Sequence, residues 1–199
     1  MDFLVDIGNV LLSFDFEASL SRLVAPGCDD AAARMARLLE RKDAFESGLV
    51  ETSAYIAEAC GFLGFGGPEE EFRAAWCGIF EPVMPMWELV AQLAAAGHRL
   101  ILFSNINALH LPFILETYPV FGHFHGAIYS FQVGAIKPAV PIYQAAIDRY
   151  RLVPQETIYI DDAPANIAAG ASLGFQAFQY DFRDHPALVS WLGRRGIRV

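Results

Sequence analysis

Short apolar runs that end abruptly in polar residues alternate with amphipathic stretches along most of this 199-residue chain. The first run, Phe3-Leu4-Val5, leads straight into Asp6, Ile7, Gly8 and Asn9. The run 99–103 ends at Ser104-Asn105, the run 127–129 opens a loop that reaches Lys137-Pro138, and the run 157–160 ends at Asp161-Asp162. A last run covers 175–179. Unbroken runs of this length suit strands buried on both faces. Between them the spacing predicts helices over 87–96, closed by Gly97, over 142–150, over 167–173, stopped by Gly174, and over 184–192, capped by Gly193. Strands and helices alternating in this way predict an α/β fold with a parallel sheet and helices on both faces.

The middle of the chain breaks the alternation. Residues 14–23 read as a linker entering a helix, Asp29-Asp30 precede a helix over 31–41, and a second helix covers 51–60, ended by Gly61. Gly66-Gly67-Pro68 followed by three glutamates starts a third, continuing over 72–80. Residues 15–83 therefore read as helical throughout, without a strand. The expected organisation is a core of 1–14 and 84–199 with an inserted helical subdomain over 15–83. The loop 61–67, with Phe62, Leu63 and Phe65, is read as packing.

A hydrophobic content of 54% against 19% charged residues predicts a large buried core. The net charge of −9 is spread out, and no basic run or stripe suggests a nucleic-acid partner. No apolar stretch approaches the ~20 residues needed to span a bilayer. Asp2 and Asp6 interrupt any leader-like pattern at the start. Cys28, Cys60 and Cys77 lack metal-type spacing and read as free thiols. The expectation is a soluble, cytoplasmic protein whose oligomeric state the sequence leaves open.

Polar groups at the carboxyl ends of parallel strands share one edge of the sheet, where open α/β folds bind ligands. Asp6, Ser104-Asn105, Lys137 and Asp161-Asp162 can therefore converge. Each also has a plain structural explanation: turn residue, helix cap or surface lysine. Taken together, three carboxylates at a partly buried edge demand compensation. A Mg²⁺ ion and Lys137 cancel their formal charge, and hard oxygen ligands are what Mg²⁺ prefers. Ser104, Asn105 and Lys137 offer donors for phosphate oxygens. A carboxylate such as Asp6 can act as nucleophile toward phosphorus.

Asp6-Ile7-Gly8-Asn9-Val10, Ser104-Asn105, Lys137-Pro138 and Asp161-Asp162-Ala163-Pro164-Ala165-Asn166 resemble, in order, the four motifs of the haloacid dehalogenase-like hydrolase superfamily. Phe45-Glu46-Ser47-Gly48 resembles a turn of its small caps. The resemblance covers nearly the whole chain and implies a Rossmann-like core with an inserted helical cap. It implies Asp6 as nucleophile and metal ligand, with Asp162 binding Mg²⁺ directly. Asp161 would ligate or act through a water, and Gly8 would ligate through its carbonyl. Ser104, Asn105 and Lys137 would clamp the phosphoryl group, Lys137 would neutralise Asp6, and Asn166 would brace the fourth-motif loop. The implied substrate is a small phosphorylated metabolite such as a sugar phosphate.

Gly8 departs from the pattern of most phosphatases in the superfamily, which carry an acid–base Asp at this position. General acid–base help is worth about 10²–10⁴-fold, so its loss has to be felt or replaced. Asp15 and His110 are the nearest replacements by sequence. Arg41, Lys42 and Glu46 are the cap positions that could face the cleft. The motif Asp-x-Gly-Asn-Val is similar to that of bacterial glucose-1-phosphate phosphatases, which keeps phosphatase as the leading expectation. Dehalogenases of the superfamily also lack the second Asp but work without the paired acids and the metal. A binding protein that lost turnover is the remaining alternative.

Overall fold

The computed structural model describes residues 1–24 and 30–198, so Cys28 and Asp29 lie outside the described residues. Its strands are β1 (Asp2–Val5), β2 (Leu12–Phe14), β3 (Phe80–Pro82), β4 (Arg99–Ser104), β5 (Gly126–Tyr129), β6 (Thr157–Asp161) and β7 (Gln176–Gln179). Five of them form a sheet in the order β5-β4-β1-β6-β7, with every neighbouring pair parallel. The chain moves outward from β1 to β5, then crosses to β6 on the other side of β1. That reversal creates a crevice at the carboxyl end of β1.

Alternation along the strands assigns the two faces. Leu4, Ile101, Phe103 and Tyr159 pack against Ile142 and Tyr143 of α9 (Val140–Tyr150). Phe3, Val5, Leu102 and Ile160 face Leu89 and Leu93 of α6 (Met84–Ala95) and Leu188 of α11 (His185–Gly193). Both faces are covered, which is why the strands read as continuous apolar runs. The expected α/β architecture is therefore present. Three further helices belong to this part of the chain: α7 (His110–Thr117), α8 (Ser130–Val133) and α10 (Pro164–Ser172).

Between β2 and β3 lie α1 (Phe16–Leu20), α2 (Ala31–Glu40), α3 (Lys42–Glu46), α4 (Thr52–Leu63) and α5 (Glu69–Cys77). They pack around an apolar cluster of their own, centred on the fully buried Tyr55, Phe72 and Trp76. The Phe45 ring stacks on Tyr55 at 4.1 Å between centroids.

Four sequence expectations need correction. The stretch 15–83 contains a strand, because Phe80–Pro82 pairs antiparallel with Leu12–Phe14. Three residues ending in a proline are too few to show an alternating pattern. Accordingly the helix expected over 72–80 stops at Cys77. The helix expected to end at Gly61 runs on to Leu63, because Gly64 supplies the left-handed cap at φ 68° while open space surrounds Gly61. Similarly, α11 includes Gly193, and the left-handed glycine is Gly196. Leu63 is buried and Phe65 packs on the helical cluster, as the packing reading of 61–67 expects. Cys60 and Cys77 are free thiols. Among the described residues, no helix is long and apolar enough to cross a membrane.

Candidate active site

Strand register brings the first and fourth motifs together. Val5 lies opposite Ile160, and one residue further the Asp6 N–H donates to the Ile160 carbonyl at 3.0 Å. Asp6 and Asp161 therefore emerge side by side. Carboxylate oxygens of Asp6, Asp161 and Asp162 lie within 4.8 Å of one another. Tyr159 and Asp161, two apart on a strand, share the α9 face.

Lys137 reaches this point from the loop after β5. Its ammonium has three donors and three acceptors: the Phe103 carbonyl at 2.8 Å, Asp161 Oδ2 at 2.6 Å and Asp6 Oδ1 at 3.0 Å. The residue is only 3% exposed. Burial disfavours the ammonium, but the charges of Asp161 and Asp6 outweigh that and hold its pKa above the usual lysine value. Burial likewise lifts Asp6 to about 7, while Lys137 and the Ser104 hydroxyl pull against the shift. At Asp161 burial is overcome by Lys137 and a set of hydrogen bonds, so its pKa falls below the ordinary carboxylate range. Asp162, half-buried, is raised by burial.

The two neighbouring aspartates are used differently. Asp161 Oδ1 accepts from Ala163 N–H at 2.9 Å and Asn166 Nδ2 at 3.0 Å, and Oδ2 accepts from Lys137 and from the Tyr159 hydroxyl at 2.6 Å. A carboxylate has about four acceptor sites, so these bonds fill it. Asp162 instead points past the strand end, where Asn9 Nδ2 donates to its Oδ2 at 2.9 Å. Asn9 adopts a left-handed conformation at φ 52°, which asparagine tolerates better than most residues. Asp6 and Asp162 are thus the carboxylates with acceptor capacity left, and the all-oxygen set they form with the neighbouring backbone suits Mg²⁺.

Asn105 lines the cleft beside Ser104, and its side chain also bonds the loop that carries Lys137. Its amide nitrogen donates to the Lys137 carbonyl at 3.0 Å and its oxygen accepts from the Lys137 N–H at 2.7 Å. The side chain ties down the loop that delivers the lysine. Tyr159 and Asn9 are contributors that motif reading passed over. The i, i+2 spacing of Tyr159 and Asp161 on a buried strand was a usable signal for the first; the second stands inside the first motif, where the sequence assigns it no role.

A cleft of about 140 Å³ opens above these groups, and Asp6, Gly8, Asp162 and Ser104 line its floor. Phe16, Lys42, Glu46, Ile79 and Phe80 line it from the helical segment. A β-carbon on Gly8 would lie 3.0 Å from Phe14 Cε1, so a phenyl ring covers the position where the usual acid–base side chain would start. Neither replacement suggested by sequence is placed to give a proton in the cleft. Asp15 is an exposed cap whose Oδ1 accepts from Ala18 N–H at 2.9 Å. His110 lines the cleft but is buried, with Nε2 donating to the Trp76 carbonyl at 3.0 Å and Nδ1 accepting from Asn107. Burial lowers its pKa to about 3, so the ring stays neutral. Arg41 pairs with Glu58 on the surface, whereas Lys42 and Glu46 do face the cleft.

Sequence and structure comparisons identify the relatives of this chain. D-ribitol-5-phosphate phosphatase from Bacteroides thetaiotaomicron is 27% identical over 183 residues, covering 87% of this chain and 88% of that protein. The structure of a predicted HAD-like family hydrolase from Porphyromonas gingivalis superimposes with a TM-score of 0.76 at 27% identity, covering 96% of this chain and 97% of that one. A Bacteroides thetaiotaomicron HAD family enzyme, bt-2542, crystallised with magnesium and inorganic phosphate, superimposes with a TM-score of 0.77 at 20% identity, covering 89% and 92%. The family profile described as haloacid dehalogenase-like hydrolase matches residues 3–174. With four motifs converging on one strand edge and a profile match over most of its length, the chain belongs to the haloacid dehalogenase-like hydrolase family.

Proposed function

We propose that the chain is a Mg²⁺-dependent phosphatase of a small hydroxylated phosphate ester, a sugar or polyol phosphate, acting through an aspartyl-phosphate on Asp6. The observation that carries this reading is the gathering of the Asp6, Asp161 and Asp162 carboxylates around the buried Lys137 at the mouth of a small cleft. The similarity to a polyol phosphate phosphatase supports the substrate class. A cleft of about 140 Å³, smaller than the ~300–1,000 Å³ typical of ligand pockets, favours a compact substrate.

In this reading an Asp6 oxygen attacks phosphorus, the ester P–O bond breaks, and water later releases inorganic phosphate and restores the carboxylate. Lys137 holds Asp6 in place and favours its charged form, and Asp161 holds Lys137. Ser104 and the backbone at the strand ends meet the phosphoryl oxygens. Asp6, Asp162 and the Gly8 carbonyl would hold Mg²⁺, which supplies positive charge to those oxygens when bound. Residues 15–83 serve as the cap, excluding water from a core built of 1–14 and 84–199.

The test is phosphate release from a panel of sugar and polyol phosphates, with Mg²⁺ and with EDTA. The expected result is metal-dependent release that Asp6→Asn abolishes while its circular dichroism stays that of wild type. Release that persists in Asp6→Asn, or halide release from a haloacid without metal, overturns the reading.

A further inference from the structure

Cleaving an alkyl phosphate ester leaves an alkoxide unless a proton reaches the departing oxygen. Position 8 has no side chain to bring one, and the Phe14 ring stands over it. The other polar groups of the cleft are committed. Lys137 has three acceptors, Asn9 donates to Asp162, the Asn105 side chain bonds the backbone of residue 137, both ring nitrogens of His110 are engaged, and the Ser104 hydroxyl, a poor acid, is the group set to meet the phosphoryl oxygens. Asp6 and Asp162 are the nucleophile and metal-facing carboxylates of the proposed reaction.

What remains is the pair of polar side chains that the helical segment sends into the cleft. Lys42 and Glu46 lie one turn apart on α3, with Nζ 2.8 Å from Oε2. Glu46 is 5% exposed, whereas Lys42 keeps more contact with solvent. We propose that Glu46, held by Lys42, is the acid that protonates the leaving-group oxygen, so that the catalytic proton arrives on the cap. The inference rests on the phosphatase reading above.

The cycle balances. As an Asp6 oxygen bonds to phosphorus, the ester P–O bond breaks, its electron pair stays on the leaving oxygen, and that oxygen takes the proton of the Glu46 carboxyl. Glu46 is then a carboxylate beside the Lys42 ammonium, the ion pair seen in the structure. Water next attacks phosphorus, its proton passes to Glu46, and the bond between phosphorus and Asp6 breaks. The starting state returns with inorganic phosphate released. Burial favours the protonated form of Glu46 and lifts its pKa, opposed by Lys42 and more weakly by Lys137, with Asp43 adding to the rise. A carboxyl whose burial favours the protonated form, and whose charged form has a cation beside it, suits both halves of the cycle.

The test compares kcat/KM, which reports steps up to aspartyl-phosphate formation, for two esters. One is the sugar or polyol phosphate turned over fastest in the panel. The other is p-nitrophenyl phosphate, whose phenolate leaves without a proton. Glu46→Gln, nearly isosteric, is expected to lower kcat/KM on the alkyl ester by about 10²–10⁴-fold and on p-nitrophenyl phosphate by less than about tenfold. Equal losses on both mean a structural or binding role and overturn the proposal. Lys42→Met removes the cation that lowers the Glu46 pKa. The alkaline limb of the alkyl-ester pH profile is therefore expected to move to higher pH, and an unmoved limb overturns the proposal. Should Glu46→Gln fail to fold by thermal unfolding, the Lys42→Met profile decides alone. A wild type that cleaves p-nitrophenyl phosphate but no alkyl ester also overturns it, leaving the phosphatase reading intact. A wild type inert toward every ester overturns both.

Discussion

Replacing Lys137 by methionine removes one positive charge from a buried site where it touches two carboxylates, at 2.6 and 3.0 Å. Methionine nearly matches the lysine stem, so packing changes little and the loss is electrostatic. Breaking a buried ion pair by deleting one partner costs about 3–5 kcal/mol, because the surviving charge is left without compensation. At ~2–4 °C per kcal/mol for a domain of this size, Tm should fall by roughly 6–20 °C. The drop should depend on pH. In wild type Asp6, its pKa lifted to about 7 by burial against the pull of Lys137, is largely charged at pH 8 and largely neutral at pH 5; without Lys137 its pKa rises further, so the stabilisation lost is the one its charged form enjoys at pH 8. Asp161, held low by Lys137 against its burial, moves upward once that cation is gone and also takes a proton more easily in acid. The destabilisation should therefore be largest at pH 8 and shrink at pH 5. The assay is thermal unfolding of wild type and variant at both pH values, in EDTA so that no divalent ion substitutes for the lysine. A variant as stable as wild type at pH 8, or a difference independent of pH, refutes the charge argument.

Two other outcomes follow from particular contacts. Gly8→Asp places a β-carbon against the Phe14 ring, which is 38% exposed and has to swing aside. The single variant should turn over alkyl phosphates more slowly than Gly8→Asp combined with Phe14→Ala, and equal kcat/KM for the two shows that the ring is no obstacle. His110 is buried as a neutral imidazole, with burial lowering its pKa from 6.5 to about 3. Between those values the unfolded chain binds a proton that the folded chain refuses, so the histidine's contribution is complete above pH 6.5 and is lost as pH falls toward 3. Urea midpoints at pH 7 and pH 4.5 should therefore differ less in His110→Gln than in wild type; an unchanged difference contradicts the assignment.

What could be read from the sequence, and what could not, divides by range. Strands buried on both faces cannot alternate, so runs such as Phe3-Leu4-Val5 and Ile158-Tyr159-Ile160 stand out, and the polar residues that end them mark the working edge. The order of the motifs along the chain then located Asp6, Lys137 and Asp162 in one place. Short elements escaped. Strand β3 has three residues and a proline, α8 has four residues, and α7 carries Pro112 in its first turn amid a run of apolar side chains. Division of labour within the site also escaped, because hydrogen bonds spanning many residues decide it. Asn105 reads as a phosphate donor by position, yet its oxygen and one of its two amide N–H groups bond the backbone of residue 137, 32 residues away. No periodicity encodes that bond. The Gly8 departure is plain in sequence, but the ring covering it comes from Phe14, the last residue of a three-residue strand and the first of the stretch 14–23 that reads as a linker.

The same contrast explains why proton chemistry would come from the helical segment. On the sheet edge the charges behind the reacting groups are locked from several directions, Asp161 by four donors and Lys137 by three acceptors, while Asn9 orients Asp162. Such locking suits groups that must present a fixed field to a phosphoryl group, since preorganised charges need no rearrangement as the reaction proceeds. It does not suit a proton carrier, whose hydrogen bonds must change twice in every cycle. Lys42 and Glu46 bind each other on a five-residue helix at the opposite wall of the cleft. An acid placed there can be replaced without touching the hydrogen bonds that hold the nucleophile and Lys137.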